Sequence, residues 1–296
     1  MMGILRRASV RFSTVLGIAV LLSSAAAVAE PALWVVKGPH ATVYLFGSVH
    51  VLGKEMVWRT PKIDAAINNS KDLWLEISDV DDSKAAMPAM MELGMDSAHP
   101  LSTRLSKDEL SRLETVATAA GVPGGEGSLE PMRPWLAAVS LSMFPLLQAG
   151  YDPGSGVELK LKPEFVSKGK PVYGFETSTQ QFHYFADLPP KAEVEYLDAT
   201  LKDFDKSIEQ FKKIVAAWYA GDEDGLDKYF DDDWRKESPD LYQILVVKRN
   251  QGFAEQIDKL LKGDGTSFVA IGAGHLVGPD GVPALLTKLG YSVQRQ

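Results

Sequence analysis

The chain has 296 residues, no cysteine, and a composition 45% hydrophobic and 24% charged, which fits one ordinary globular domain or at most two. The lack of cysteine excludes structural disulfides, thiolate metal sites, iron–sulfur clusters and thiol nucleophiles, so any chemistry must come from His, carboxylate, hydroxyl or amine groups or from a metal held by nitrogen and oxygen. A net charge of −8 argues against a nucleic-acid partner, because neutralising phosphates takes a basic face.

Residues 1–29 carry Arg6, Arg7 and Arg11 and no acid, then an apolar stretch from Val15 to Val28 ending in Ala27-Val28-Ala29. That is the layout of a secretory signal peptide, with cleavage expected after Ala29. It predicts a periplasmic or secreted protein with no stable membrane insertion once the signal is removed. Removal takes three of 31 basic groups and none of 39 acids, leaving −11. Residues 30–296 are expected to form a single domain.

Two short strands, Leu33 to Val36 and Thr42 to Phe46, flank a Gly38-Pro39 turn. A helix follows from Pro61 to Asn69 with Thr60 as its cap, then a strand from Asp72 to Ile77. From Ser83 to Gly150 the pattern is helical, with a capped segment opening at Ser106 and an apolar helix from about Pro131 to Ala149. Gly124-Gly125-Glu126-Gly127 reads as a loop and not a phosphate cradle, since no Lys-Ser/Thr follows. A Gly-rich turn at Asp152 to Gly156 leads to a helix ending at Lys168 and a strand from Pro171 to Phe175. About 190–262 reads as a largely helical insertion broken near Gly221 and at Ser238-Pro239. Within it, Asp231-Asp232-Asp233 reads as a solvated helix end, because the spaced acids of a calcium loop are missing. A continuous apolar strand from Ser267 to Ile271, a helix from Pro283 to Leu289 and a last strand at Tyr291 to Val293 close the chain. The order predicts an α/β or α+β fold.

Two distant segments share one frame. Val43 to Gly53 and Phe268 to Gly278 each run through an apolar strand, a Gly, two residues, a His, two apolar residues and a second Gly. Each first glycine lets the backbone leave the strand, so His50 and His275 fall just past a strand's carboxyl end, where open α/β sheets build their sites. A second echo pairs Leu73-Trp74-Leu75-Glu76 with Tyr173-Gly174-Phe175-Glu176, placing an acid at the end of each apolar strand. Buried acids cost several kcal/mol unless compensated. Two His and two Glu from corresponding places suit a divalent metal or metal-free acid–base chemistry. His40, His99 and His183 lack such a setting and read as structural or surface residues.

With these motifs in hand, the chain resembles the TraB/GumN family, whose wider relatives include the Tiki metalloproteases and, remotely, erythromycin esterase and ChaN-like proteins. The resemblance runs from Leu33-Trp34 to Gly290-Tyr291 and rests on the two Gly-x-x-His motifs, on Glu76, on the block Gly169-Lys170-Pro171-Val172 with Phe175-Glu176-Thr177 and Gln180 or Gln181, and on Arg249-Asn250. It implies two pseudo-symmetric halves sharing a small central sheet. From the Tiki branch it also implies a divalent-metal peptidase. Glu158 departs from the Asp usual among relatives, and no ligand role is carried onto it.

The expectation that follows is a periplasmic metal-dependent hydrolase acting on a peptide or other small-molecule substrate. His50, His275, Glu76 and Glu176 would serve a manganese, cobalt or zinc ion, with Glu76 as ligand or base. Arg249 would hold a substrate carboxylate or an oxyanion, and Asn250 would supply an amide contact. The alternatives are a metal-free esterase using His as base and a non-catalytic accessory protein of envelope or exopolysaccharide assembly.

Overall fold

A computed structural model describes residues 30–296. The signal-peptide assignment lies outside the described residues, as do the side chains of Asp231, Asp232 and Asp233. The strands are β1 (Leu33–Lys37), β2 (Ala41–Ser48), β3 (Leu52–Gly53), β4 (Asp72–Ile77), β5 (Tyr151–Asp152), β6 (Val172–Glu176), β7 (Gly265–Gly272) and β8 (Ser292–Arg295). Six form one sheet in the order β6-β4-β7-β2-β1-β8, with β6, β4, β7 and β2 parallel, β1 antiparallel to β2, and β8 antiparallel to β1 at the edge. The fold is therefore mixed α/β, with helices around a central sheet.

β7 lies inside the sheet between β4 and β2 and is covered on both faces, which explains its unbroken apolar run. Its alternate residues enter two different cores. Phe268 and Ala270 join Phe46, Leu73, Leu75 and Trp218 on one face. Val269 and Ile271 join Leu45, Phe253 and Ile257 on the other. The two Gly-x-x-His strands are direct neighbours, and their register is slipped by one from the sequence alignment: Gly47 faces Ile271 and Ser48 faces Gly272.

Local signals set the helices. Thr60 caps Pro61–Asn69, and Ser106 forms a capping box with Glu109 at the start of Lys107–Ala119. A second capping box, Thr177 with Gln180, starts Ser178–Ala186 directly after β6. The helix Pro190–Ala220 has 31 residues and ends at Gly221 in the left-handed conformation (φ 64°). Segments between Glu223 and Val247 then include two wide π turns, Lys228–Asp232 and Gln243–Val247. The end of this helical stretch belongs to the main layers, because Lys248–Leu261 buries Phe253, Ala254, Ile257 and Leu261 in the second core.

The two-residue strands β3 and β5 carried no sequence signal, being too short for alternation to register. They join the loop after His50 to the turn before Val157. One further tie holds the same region: the buried Trp218 indole N–H donates to the Gly47 carbonyl at 2.7 Å, locking the long helix onto the first Gly-x-x-His motif. Trp218→Phe keeps most of the packing but orphans that carbonyl, and we expect a loss of about 1–3 kcal/mol in urea unfolding.

Candidate active site

The site forms at the carboxyl ends of the parallel strands. Glu76 is the fifth residue of β4, Glu176 ends β6, His50 follows β2, and His275 sits in a short helical turn, Ala273–Leu276, after β7. Arg249 and Asn250 reach the same place from the first turn of Lys248–Leu261. All six residues singled out from the sequence thus meet in one region.

Arg249 is the hub. Its Nε donates to Glu176 Oε1 at 3.0 Å, and its Nη2 donates to Glu176 Oε2 at 2.8 Å and to Glu76 Oε2 at 2.6 Å. Its remaining terminal nitrogen, Nη1, lies 3.1 Å from His275 Nε2. Tyr184 and Phe253 rings flank the guanidinium at 5.5 and 5.4 Å. The Gln181 amide donates to both acids at 3.1 Å. Burial opposes charge on Arg249, yet the two carboxylates outweigh it and raise its pKa further. For Glu76, burial raises the pKa, but Arg249 and the Gly272 N–H, which donates to Oε1 at 2.7 Å, hold it well below the ordinary carboxylate range.

These contacts fix the protonation of His275. Arginine only donates, so Nε2 is the acceptor and the proton sits on Nδ1. That N–H is accepted by Asn250 Oδ1 at 2.6 Å, and the Asn250 amide nitrogen donates to the Asp280 carbonyl at 2.8 Å, which fixes its orientation. Burial first and the Arg249 charge second push the His275 pKa down to about 3, so the ring is neutral at ordinary pH. Phe253 meets it edge-on at 5.2 Å.

His50 is the opposite case. Its Nδ1 lies 2.7 Å from Glu158 Oε1, which also accepts the Ser48 hydroxyl. The Glu158 charge lifts the His50 pKa to about 9. Because 61% of the His50 side chain is open to water, direct contact with Glu158 is what sustains this shift. For Glu158 itself burial raises the pKa, but His50 and Ser48 prevail and lower it.

Glu158 is the residue that sequence reasoning passed over, together with its companion Ser48. The signal was Gly156. A Cβ there would lie 2.2 Å from the His50 carbonyl oxygen, so only glycine lets the helix Val157–Ser167 start against residue 50. The Val157 N–H then donates to the Val49 carbonyl at 3.1 Å, and Glu158 in the first helical turn reaches the imidazole. A second glycine forms the floor of the site. A Cβ on Gly272 would lie 3.0 Å from Glu76 Oε1, 3.5 Å from His275 Cδ2 and 3.7 Å from His50 Nε2, so both imidazoles and the acid border the space above it.

The donor chemistry tests the expected metal. Arg249 already engages both carboxylates and His275 Nε2, and a second cation beside it would be repelled. Among the described residues, no three His or acid side chains are grouped to hold an ion. As arranged, the site does not fit a divalent metal. Nor is Arg249 poised to take a substrate carboxylate, since its donors are engaged within the cluster. His40 is exposed, while His99 and His183 pair with nearby Asp96 and Asp187 at the surface.

The two imidazoles should therefore titrate far apart. By side-chain NMR we expect His50 to lose its proton near pH 9 and His275 to stay neutral down to about pH 3, with Glu158→Gln returning His50 toward 6.5. The sign for stability follows: the His50–Glu158 contribution is complete below about 6.5 and disappears as pH rises through about 9.

Comparison with known proteins shows kinship. A relative from Treponema pallidum (strain Nichols), described as an uncharacterized protein, is 22% identical over 276 residues, covering 88% of this chain and 81% of its own length. No solved structure matches the chain. The family model described as TraB/PrgY/gumN matches residues 32–295, nearly every residue in which the site and its supports lie, and the chain belongs to that family.

Proposed function

We propose that the protein hydrolyses an uncharged acyl substrate, with peptide amides as the leading class and esters as the chemically easier one, using His50 as the base toward water. The observation that carries this reading is the orientation of His50: Nδ1 is held by Glu158, while the ring lines a cavity together with Glu76 and Gln181 and leaves Nε2 without a hydrogen-bonded partner among the described residues. In its neutral form, Nε2 takes a proton from water as the water oxygen attacks the carbonyl carbon. The same proton then passes to the leaving nitrogen or oxygen as that bond to carbon breaks. Glu158 fixes the ring and, with Glu76 nearby, stabilises the imidazolium formed in between. Arg249 keeps Glu76 ionised and in place; it is a positioning residue.

Hydrolysis should accelerate as pH rises toward about 9, because only the deprotonated ring can act as base. His50→Gln should lower the rate about 10²–10⁴-fold in protein that remains folded, with a lower melting temperature from the lost Glu158 pairing. The metal-dependent peptidase implied by the family resemblance requires an ion to displace Arg249 from Glu76 and His275. Elemental analysis and exhaustive chelation separate the two. We expect substoichiometric metal and retained hydrolysis, whereas stoichiometric manganese, cobalt or zinc with activity lost on chelation would replace the base mechanism. Absence of hydrolysis across peptide and ester panels would leave an accessory binding role.

The proposed site of action is the periplasm, supported by the basic and apolar leader of residues 1–29. Protein recovered from that compartment should begin at Glu30 by N-terminal sequencing, and a retained leader would refute the assignment.

A further inference from the structure

Beside the catalytic groups lies a cavity of about 300 Å³ whose walls are of two kinds. The polar lining is His50, Glu76, Glu158 and Gln181, the proposed hydrolytic groups already described. The apolar lining is Val51, Ile77, Val80, Met143, Pro153 and Leu159. Val51 and Ile77 directly follow His50 and Glu76 in the chain, so the strand ends that deliver the polar groups also begin the apolar wall. Met143 comes from the helix Pro134–Gln148 and Leu159 from the helix that carries Glu158. The wall is thus assembled by four separate segments around one opening.

Its charge is equally selective. Two carboxylates line it, Glu76 and Glu158, beside one titratable cation, His50, which is paired with Glu158, while Glu76 is paired with Arg249 from behind the wall. No cation of the lining is left for an incoming anion, and the excess charge of the lining is negative. The volume stands at the small end of ligand pockets, enough for one side chain or a short acyl chain and not for an extended polymer segment.

We propose that this cavity is the acyl-side specificity pocket, and that the substrate carries an uncharged, apolar group of about four to eight carbons next to the scissile carbonyl. The proposal rests on the hydrolase reading for the identity of the scissile group, while the pocket's preference for apolar, non-anionic ligands can be measured without turnover. Carboxylate-bearing substrates are disfavoured by the acids, and very short acyl groups leave the apolar wall wet. Met143, unbranched and adaptable, is part of the apolar lining, so enlarging it should shorten the chain that fits.

The test uses residues 30–296 and two parallel series. Binding of butyramide, hexanamide and octanamide is followed by protein NMR, with adipic acid monoamide as the anionic match to hexanamide. Hydrolysis of the corresponding 4-nitrophenyl esters is measured beside it. We expect dissociation constants to fall about fourfold per added methylene until the cavity is full. The adipic monoamide should bind at least about tenfold more weakly than hexanamide. Met143→Trp, or Leu159→Trp if that variant folds poorly, should move the best fit to a shorter chain in both series. Equal affinity along the series, equal binding of the anionic amide, or an unchanged length preference in a folded Trp variant would each overturn the pocket. If the amides bind as expected and no ester or peptide is cleaved, the pocket stands and the hydrolase reading falls.

Discussion

The arrangement of the site depends on one guanidinium. Glu76 and Glu176 end adjacent parallel strands and are both buried, and two carboxylates so close would repel each other or take up protons. Arg249 resolves this from a third element, donating to both and reaching His275 from a fourth. Leaving such a charge buried without its partner costs about 3–5 kcal/mol, a large share of the stability of any domain. The clamp therefore fixes the helix Lys248–Leu261 against the sheet end and dictates which His275 tautomer exists. His275 is thereby closed within the cluster, while the His50 side chain stays open to water.

The two imidazoles, alike in their sequence frames, are consequently unlike in chemistry. Each follows a strand and a glycine, yet one meets a carboxylate and water, and the other meets an arginine and an asparagine in a closed core. The difference arises from their partners, Glu158 and Arg249, which lie far away in the chain. The one-residue slip between β2 and β7 separates the motifs further, because successive positions along a strand point to opposite faces.

This also marks what the sequence could convey. The strand-terminal acids and the paired His motifs were readable, because buried strands write themselves as apolar runs and any polar interruption stands out, whereas Arg249-Asn250, on a helix, was found only through the family resemblance. The long helices were readable from period and caps such as Ser106 and Thr60. The role of Glu158 was not, since a carboxylate in a first helical turn satisfies the helix dipole and gives no sign of a distant partner. Gly156 carried the information in a form legible only in three dimensions: its φ of −57° is ordinary, and what demands glycine is the nearness of the His50 carbonyl. The pairing of Arg249 with the candidate ligands was hidden for a related reason: ligand types can be counted in a sequence, but a neighbouring cation that occupies them cannot be seen there.

The position of β7 has a bearing on how the molecule comes into being. One of the two central strands of the sheet, β7, is drawn from residues 265–272, so it is made after both of its neighbours, β2 and β4. Until then β2 and β4 have no shared neighbour, and their apolar edges stand open to other chains. Assembly waits on the insertion of one late segment between two early ones, a step of high contact order that is intrinsically slow. Before β7 is in place, helices can form but the sheet end that brings Glu76, His50 and His275 together cannot.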